Sequence, residues 1–370
     1  MRIEDLDYEL PEELIAQRPL PERDAARLLV LDPWTARIEH RTVRDLPELL
    51  PPSLFVFNDS RVLPARLRGR RPGGGRVELL LVERIDPAAS RERWVALARP
   101  SSRLAPGMEL SLAAGALRAE LLDRTGTGAW HVALHGLPTA TEAVERHGEV
   151  PLPPYVRRSP DDSDRDRYQT VYARTPGSVA APTAGLHFTE RLLAALRAAG
   201  HQTAFVTLHV GPGTFAPLRA PSLDAHRMHA ERFEISEAAA RAVAQARAEN
   251  RAVVAVGTTV VRTLESAACG DGHVRPGSAS THLFIRPPHR FAVVDALLTN
   301  FHLPRSTLLA LVMALGGVKA VRAAYAEAVA RRYRFYSYGD AMLVLPGPHS
   351  ARPPHIGGVV AGCGSAGRPQ

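Results

Sequence analysis

Residues 168–215 read YQTVYARTPGSVAAPTAGLHFTERLLAALRAAGHQTAFVTLHVGPGTF, and this stretch indicates the fold. Its pattern predicts a helix over residues 189–199 that ends at Gly200, followed by a strand over residues 203–210. Loops rich in small residues flank the pair, APTAGLHFT before the helix and HVGPGTF after the strand. Such connections are favoured positions for ligand chemistry in α/β folds. The stretch therefore predicts an α/β domain with a site at these loops.

The two loops carry more polar side chains than their geometry requires. Each has one histidine, His187 or His209, and together they add the hydroxyls of Thr183, Thr189 and Thr214. A helix N-cap at Thr189 and a tight glycine turn after His209 would explain the glycines and one threonine. They do not explain two histidines in neighbouring connections, so we expect both loops to contribute to one site.

The rest of the chain divides into segments with different patterns of apolar, polar and turn-forming residues. Residues 1–64 and 151–346 show α/β patterning, whereas residues 65–150 contain short β-like runs separated by Gly, Pro and Asp turns. That spacing is typical of a small antiparallel barrel. Residues 347–370 are rich in Gly, Pro and Arg, and we expect a disordered tail. The predicted fold class is α/β, with a mixed-sheet major domain and an inserted small antiparallel β-barrel.

Local signals add expectations for individual elements of the α/β part. Pro and acidic residues predict a short helix over residues 11–17. Apolar runs predict strands over residues 281–285 and 291–298. Ser236 has the position of an N-cap for the helix that follows it.

The chain is basic, with a formal net charge of +8 over 370 residues, and Lys319 is its only lysine. A basic surface suits RNA or DNA, although arginine-rich usage from a GC-rich genome would raise the charge equally well. Arginines concentrate at the start of the β-rich segment and again at residues 331–334, where they alternate with aromatic residues. The alternative is a solvated charged face with the aromatic residues in the core. The predicted RNA contacts are Arg66, Arg68, Arg70, Arg71, Arg331, Arg332 and Arg334.

Several classes of protein are disfavoured. The two cysteines, Cys269 and Cys363, show no CxxC spacing, which argues against a cysteine-based zinc site. The first ten residues contain acids and no apolar run, so no signal peptide is visible. The longest apolar run, residues 308–315, is too short to span a bilayer. We therefore expect a cytoplasmic protein with no membrane partner.

Seven segments, in this order, carry a resemblance to a known family. They are FNDSRVLPARL, YQTVYA with PGSVAAPTAGLHFT, FVTLHVGPGTF, MHAERFEI, VAVGTTVVRTLES, VVDALLTNFHLPRSTLL and YRFYSYGDAML. Together they closely resemble the S-adenosylmethionine:tRNA ribosyltransferase-isomerases of queuosine biosynthesis. The likeness extends from residue 1 to about residue 345 and leaves out the tail.

The resemblance implies both an architecture and a reaction. The family is monomeric, with an α/β domain and an inserted barrel, and it uses no metal and no cofactor; S-adenosylmethionine is a substrate. The ribosyl part of that molecule moves onto the aminomethyl group of a 7-deazaguanine in a tRNA with a GUN anticodon. The product carries an epoxycyclopentanediol, and adenine and methionine are released.

Four short segments depart from the pattern associated with the family. The chain has MHAE for MHSE, GPGTF for GAGTF and FNDSR for FNDTR, all of which are small changes. The segment FIRPPHRF is a larger departure, because Pro287, Pro288 and His289 replace a stretch that usually carries Gly and Tyr. This change would alter an RNA-contacting strand turn.

The implied chemistry needs a base for a proton next to the sulfonium and a proton donor for departing adenine. Histidine titrates near neutral pH and suits both roles. His187 and His209 are the first candidates because they lie in loops beside glycine, and His229 and His302 follow. Glu231 is the candidate catalytic carboxylate. For each histidine the alternative is a hydrogen-bonded structural side chain.

Substrate binding needs groups that offset the sulfonium charge, bind ribose hydroxyls and read a base edge. Glu265 and Asp59 could supply a carboxylate, although Glu265 could equally pair with Arg262 one helical turn earlier. Asn300 presents both donor and acceptor. The predicted binding residues are Asn58, Asp59, Arg61, Thr183, Gly185, Gly211, Gly213, Thr214, Thr258, Thr259, Arg262, Glu265 and Asn300.

Two other functions remain open from the sequence. The same fold could act on a free deazaguanine or another small acceptor, for which the changed 286–290 segment and the tail leave room. A non-catalytic RNA-binding protein would account for the charge and the arginine clusters. The histidine- and threonine-rich loops disfavour this last reading.

Overall fold

The structure, a computed structural model, describes residues 2–86, 92–126, 128–211, 223, 226 and 228–348. The predicted tail therefore lies, from residue 349 onward, outside the described residues. The described residues form two compact units. The first lies within Met1–Asn58, Thr183–Leu208 and Pro217–Gln370, and the second within Asp59–Pro182 and His209–Ala216.

The strands are numbered along the chain. They are β1 (Arg27–Asp32), β2 (Arg37–Thr42), β3 (Leu54–Asn58), β4 (Ser60–Val62), β5 (Arg66–Arg70), β6 (Arg76–Asp86), β7 (Glu92–Arg99), β8 (Glu109–Leu112), β9 (Leu117–Arg124), β10 (Trp130–Gly136), β11 (Thr175–Ser178), β12 (Gln202–Leu208), β13 (Glu231–Ile235), β14 (Val253–Val256), β15 (Gly277–Thr281), β16 (Ala296–Asn300) and β17 (Ala341–Val344).

The α-helices are α1 (Ala140–His147), α2 (Asp164–Arg167), α3 (Glu190–Ala198), α4 (Glu237–Ala248), α5 (Thr258–Ser266), α6 (Thr307–Gly316) and α7 (Val318–Ala330). Short 3₁₀ helices connect other elements, at Ile3–Leu6, Glu12–Leu14, Arg23–Ala25, Val43–Glu48, Ser101–Arg103, Ala113–Gly115 and Thr183–His187.

The first unit contains a mixed sheet. In the part of the chain that the structure describes, nine strands join in the order β15-β13-β12-β3-β14-β16-β17-β1-β2. The four central strands β12, β3, β14 and β16 are parallel, and β13 and β17 flank them in the antiparallel direction. Strands β3, β14 and β16 are buried along their whole length, as their near-continuous apolar sequences require. The predicted mixed-sheet α/β class is confirmed.

Helices α3, α4 and α5 all contact β12, and their ends follow predicted capping chemistry. The Thr189 hydroxyl accepts the amide of Leu192 at 3.1 Å, and the Ser236 hydroxyl accepts that of Ala239 at 3.1 Å. Each side chain satisfies one backbone donor that the first helical turn leaves without a partner. Both predicted N-caps are confirmed.

The second unit contains the predicted barrel. Over its described residues, six antiparallel strands close in the order β10-β7-β6-β5-β8-β9. Alternate side chains point inward and form a buried apolar core that includes Leu79, Ala96, Leu110 and Val132. In β7 and β8, exposed or half-buried positions alternate with the buried ones, as expected for strands of a closed barrel.

The unit that holds the barrel is wider than the predicted insert of residues 65–150. Strands β4 and β11 pair in parallel on the two sides of the insert. The Gln169 side chain accepts the amide of Val62 at 3.0 Å and donates to its carbonyl at 2.7 Å. These bonds join the segments that enter and leave the barrel, so both segments pack with it.

Three local predictions are wrong. Residues 11–17 contain only the 3₁₀ turn Glu12–Leu14. Strand β15 ends where a strand was expected to begin, at Thr281, and β16 begins at Ala296 rather than at residue 291. The shift in β16 has a physical reason, because the amides of residues 292–294 donate to the carboxylate of Glu265 instead of to a neighbouring strand.

Helix α6 is buried on nearly every side from Leu309 to Gly316, as expected of a helix that is apolar all round. Gly317, with φ of 79°, separates it from α7. Of the helices in the described ranges, none is by itself long and apolar enough to cross a membrane; by length and composition alone, α6 and α7 would suffice only as a pair, bent by 116°.

Gly69 allows two barrel strands to approach closely. A Cβ atom at this position would lie 2.1 Å from the backbone oxygen of Ser111 on β8. We expect Gly69→Ala to lower the free energy of unfolding by about 1–3 kcal/mol, because the strands must separate to admit the methyl group. Urea denaturation measures this change.

The matched control is Gly126→Ala, also in the barrel, where an added Cβ meets nothing within 4 Å. We expect it to change the free energy of unfolding by no more than about 0.5 kcal/mol. Equal stability of the two variants would show that the β5–β8 contact does not require glycine.

Candidate active site

Polar side chains collect where the central parallel strands of the first unit end. Asn58 closes β3, Asn300 closes β16, and Thr258 and Thr259 follow β14. These strands run in the same direction, so their carboxyl ends share one edge of the sheet. In open α/β sheets this edge is where ligands bind. It is therefore the candidate site of the first unit.

Asn58 joins three elements at this edge. Its side-chain oxygen accepts the amide of Leu208 at 3.1 Å, and its nitrogen donates to the Leu208 carbonyl at 3.0 Å. The same nitrogen lies 3.3 Å from the hydroxyl oxygen of Thr259. Since Asn58 is fully buried, these bonds fix the end of β12 and the first turn of α5 against β3. We assign it a positioning role.

Asn300 holds the predicted APTAGLHFT loop. Its side-chain oxygen accepts the Thr183 hydroxyl at 2.9 Å, and its nitrogen donates to Nε2 of His187 at 3.1 Å. Thr183 and His187 are the ends of one 3₁₀ helix that contains Gly185, and all of these residues but Thr183 are buried. One amide therefore orients a hydroxyl and an imidazole from the same loop.

His187 is a neutral, buried imidazole. Only 4% of the residue is exposed. Burial lowers its pKa to about 4, although Asp340 and a backbone hydrogen bond act in the opposite direction. Because Nε2 accepts a hydrogen bond from Asn300, the ring carries its proton on Nδ1. The geometry favours a fixed acceptor over a group that exchanges protons near neutral pH.

His302 is also held in its neutral form. Its Nε2 lies 2.9 Å from the hydroxyl of Thr299, and burial lowers its pKa to about 3. Its backbone is anchored as well, since its amide donates to the Tyr325 hydroxyl at 3.0 Å and its carbonyl accepts from Tyr8. The NFHLP loop is thus tied to two tyrosines.

Glu231 and Arg262 form a buried ion pair within hydrogen-bond distance. Their side chains are each only 5% exposed. Arg262 also donates to the Leu283 carbonyl at 3.1 Å, and burial lowers the pKa of Arg262 to about 10. The predicted alternative, an ion pair between Arg262 and Glu265, is wrong, because the Arg262 guanidinium pairs with Glu231.

Glu265 binds backbone instead. Its carboxylate accepts the amides of Ala292, Val293 and Val294 at 2.8–3.0 Å, and Nε2 of His289 lies 3.8 Å away. Glu265 therefore shapes the segment that follows Pro287 and Pro288. That segment is not a turn between strands, as was expected, because no strand is present between Thr281 and Ala296.

Two acidic residues were missed by the sequence reasoning. Asp340 accepts the amide and Nε of Arg27 at 3.0 and 3.1 Å and the amide of Arg334 at 2.8 Å. The signal was Gly339 before it, where a Cβ would lie 2.5 Å from the Arg334 carbonyl. Asp24 is the other, and burial acts to raise its pKa, but hydrogen bonds from Arg191, Thr189 and Arg44 hold it below its usual value.

Four of the predicted catalytic and substrate-binding residues lie among the described residues of the second unit. Arg61 binds Glu145 with two hydrogen bonds, at 2.6 and 3.2 Å, and Asp59 accepts two backbone amides on its carbonyl. His209 and Gly211 follow in the other loop. The His209 ring lies against Gly177, where a Cβ would be 2.7 Å from Nδ1. Gly177, which has φ of 140° and lies in β11, was not singled out from the sequence, although a Pro-Gly dipeptide is a signal of irregular backbone.

The remaining predictions fall in different surroundings. His229 is exposed. Gly213 and Thr214 lie outside the described residues. Over the ranges that are described, no group of three or more His, Cys, Asp or Glu side chains could hold a metal ion.

The predicted RNA contacts near the last strand have unequal exposure. Arg331 and Arg332 are exposed, whereas Arg334 is half-buried and donates to the Arg18 carbonyl. Arg27 holds this segment in place. It donates to the carbonyls of Arg331 and Arg332, and its guanidinium carbon lies 4.2 Å from the Tyr333 ring centroid. The nearby aromatic residues, Tyr333, Phe335, Tyr336 and Tyr338, are buried, so the packing interpretation for them is confirmed.

The predicted contacts at the start of the barrel also differ. Arg68 and Arg70 are exposed, and Arg66 and Arg71 are half-buried. Arg66 donates to the Leu152 carbonyl at 3.3 Å. Exposed arginines can reach a polyanion without a change in the fold, so Arg68 and Arg70 are the stronger candidates.

The buried state of His187 has a consequence for stability. Below pH 6.5 the unfolded chain takes a proton on this ring, whereas the folded chain does so only near pH 4. Stability therefore falls as the pH drops from 6.5 towards 4, by up to about 3 kcal/mol from this residue. We expect His187→Gln to flatten the dependence of the unfolding free energy on pH in that interval.

The control for this measurement is His147→Gln, because His147 is exposed at the end of α1. It should leave the pH dependence unchanged. A slope that stays the same after His187→Gln would contradict a buried neutral imidazole.

The buried pair predicts a strong effect of removing one partner. We expect Arg262→Met to lower the free energy of unfolding by about 3–5 kcal/mol, since it leaves the Glu231 carboxylate buried alone. The double variant with Glu231→Gln should recover part of that loss. Arg331→Met serves as the control, since its pair with Glu327 is exposed and is worth at most about 1 kcal/mol. A double variant less stable than Arg262→Met would refute the pairing.

Comparison with known proteins identifies the family. The model of the family described as "Queuosine biosynthesis protein" matches residues 3–344. The S-adenosylmethionine:tRNA ribosyltransferase-isomerase of Anaeromyxobacter dehalogenans is 56% identical over 93% of this chain and 99% of its own length. The enzyme of the same name from Rubrobacter xylanophilus is 53% identical over 95% of this chain and 100% of its own length.

A solved structure supports the same assignment. The crystal structure of S-adenosylmethionine tRNA ribosyltransferase from Thermotoga maritima is 39% identical, with a TM-score of 0.53, and covers 92% of this chain and 100% of its own. The similarity extends over nearly the whole length of the chain. The chain belongs to the queuosine biosynthesis protein family.

Proposed function

We propose that this chain is an S-adenosylmethionine:tRNA ribosyltransferase-isomerase. It transfers and isomerises the ribosyl part of S-adenosylmethionine onto 7-aminomethyl-7-deazaguanine in tRNA, and it releases adenine and methionine. The observation that carries the proposal is the 56% identity, over 93% of the chain, to an enzyme of that name. The polar edge formed by Asn58, Thr259 and Asn300 supports it.

The structure refines which predicted residues suit proton transfer. A catalytic acid or base works best when its pKa is near the working pH. His187 and His302 have pKa values lowered to about 4 and about 3, and Glu231 is committed to Arg262. We therefore propose positioning roles for these three. Proton transfer is proposed for His209 and His229, with His209 first because its half-buried ring is held against Gly177.

Substrate binding is divided between the remaining predicted residues. The Glu265 carboxylate already accepts three backbone amides. Asp59 is therefore the better candidate for binding the sulfonium or the ribose hydroxyls. Thr258 and Thr259 begin α5 at the site edge and offer hydroxyls there. For Gly185, Gly211, Gly213 and Thr214 the proposal of substrate binding rests on the sequence alone.

The proposal includes finer features of the family. The chain is proposed to act as a monomer in the cytoplasm, on tRNA with a GUN anticodon, and to need no cofactor or metal beyond its substrate S-adenosylmethionine. The net charge of +8 supports an RNA partner. No observation in the structure favours a free deazaguanine as acceptor or a purely RNA-binding role.

The decisive experiment incubates purified protein with S-adenosylmethionine and tRNA that carries the modified base. We expect stoichiometric release of adenine and methionine, and no release when tRNA is left out. Chromatography of the nucleobase measures the product. Absence of adenine would refute the proposal, and release with a free deazaguanine alone would favour the small-molecule alternative.

The same assay tests the proposed role of His209. We expect His209→Ala to lower kcat by about 10²–10⁴-fold, the usual contribution of a general acid or base. His131→Ala is the matched control in the same unit, because that ring lies on the outer face of the barrel, where Nδ1 is 2.9 Å from a carboxylate oxygen of Asp123. Thermal denaturation of both variants checks the fold. Near-normal turnover of a folded His209→Ala would remove this residue from the mechanism.

A further inference from the structure

Four arginines lie on the outer face of the barrel, on three consecutive strands. Arg68 and Arg70 belong to β5, Arg76 to β6 and Arg99 to β7. All four are exposed, whereas neighbouring Leu67 points into the core. They line an open groove with a volume of about 1070 Å³, which is called here the arginine groove.

Strand register brings the four side chains together. Arg68 lies opposite Glu78, and Glu78 lies opposite Arg99 on the next strand. Two residue pairs along the strands, on the same face, Arg70 lies directly opposite Arg76. Side chains at such positions have Cβ atoms about 4.5–5.5 Å apart. The groove therefore presents arginine side chains from three neighbouring strands on one face of the barrel.

The carboxylates near the groove do not neutralise it. Among the groove-lining residues Glu78 is the only acid, and its two oxygens lie 3.8 Å from Nε of Arg66 and of Arg68, respectively. Arg68 also pairs with Glu149 at 3.2 Å. Within the described ranges, no ion pair is formed by Arg70, Arg76 or Arg99. Three positive charges are left facing the groove.

The position of Arg70 opposite Arg76 is unfavourable for the barrel alone. Like charges at directly opposed positions of antiparallel strands are destabilising. The close approach of β8, which Gly69 permits, places Ser111 on the other side of Arg70. A bound anion would turn the repulsion between the two arginines into a shared attraction.

We propose that the arginine groove binds the phosphodiester backbone of the RNA substrate, without regard to its sequence. Guanidinium groups suit phosphate because their planar donors match its oxygens, and backbone contacts position an RNA rather than specify it. The groove is open and is lined by residues of β5, β6 and β7, which suits an extended polyanion more than a single phosphate. The identity of the RNA as the tRNA substrate rests on the proposed function.

The test uses a variant that should not harm the fold. Arg76→Glu places a carboxylate opposite Arg70, so the repulsive pair becomes an attractive one and the melting temperature should not fall. Affinity for an unmodified tRNA transcript, measured by fluorescence anisotropy, should fall by about tenfold or more. The triple variant Arg70→Ala, Arg76→Ala, Arg99→Ala should reduce the slope of log Kd against log salt by about 2.

Arg93→Glu is the matched control, because Arg93 is an exposed arginine of β7 that does not line the groove. It should bind the transcript nearly as the unaltered protein does. In turnover assays the groove variants should raise KM for tRNA while kcat and KM for S-adenosylmethionine stay unchanged.

The outcomes separate this proposal from the proposed function, because the binding assay needs no chemistry. If the unaltered protein releases no adenine but the groove variants still lose RNA affinity, the groove proposal is supported and the proposed enzymatic function is refuted. If turnover is normal and the variants bind RNA like Arg93→Glu, the groove proposal is overturned. Loss of binding to phosphatidylserine vesicles without loss of RNA binding would overturn it as well.

Discussion

The site edge of the first unit depends on two buried side-chain amides that must satisfy every polar group they meet. Asn300 accepts the Thr183 hydroxyl and donates to His187, and Asn58 does the same for the backbone of Leu208. In a dry environment an unpaired donor or acceptor costs about 1–3 kcal/mol. The hydrogen bonds of the two amides therefore fix the conformation of the surrounding loops. They also fix the tautomer of His187 before any ligand binds.

Buried charges follow the same requirement. Arg262 is neutralised by Glu231, and Arg247 contacts Asp295 at 3.0 Å, where burial raises the pKa of the aspartate to about 6. Such pairs contribute little net stability, but removal of one partner is costly. A carboxylate in a sequence motif can therefore be the partner of a buried cation or a reactive group. The residues around it in the structure decide between these two roles.

The sequence predicted the mixed sheet, the barrel and the two N-caps because these depend on local periodicity and capping chemistry. It also named Asn58, Thr259 and Asn300 as candidate binding residues, and in the structure each lies at or just beyond the carboxyl end of a buried strand. It did not show that Glu231 would meet Arg262, because 31 residues separate them along the chain and their meeting depends on how β13 joins the sheet. For the same reason Asp340 was missed, since its partner Arg27 lies 313 residues away.

The position of β17 in the sheet bears on how the chain is made. In the order of the described strands, β17 stands between β16 and the N-terminal hairpin β1–β2, with Leu29 beside Met342. During synthesis the hairpin is among the first segments to leave the ribosome, yet its place in the sheet exists only after residue 341 has been added. Contacts between such distant segments slow folding. The apolar residues of β1, which the finished sheet buries, must therefore be shielded, by chaperones or by transient packing, for most of the time that translation takes.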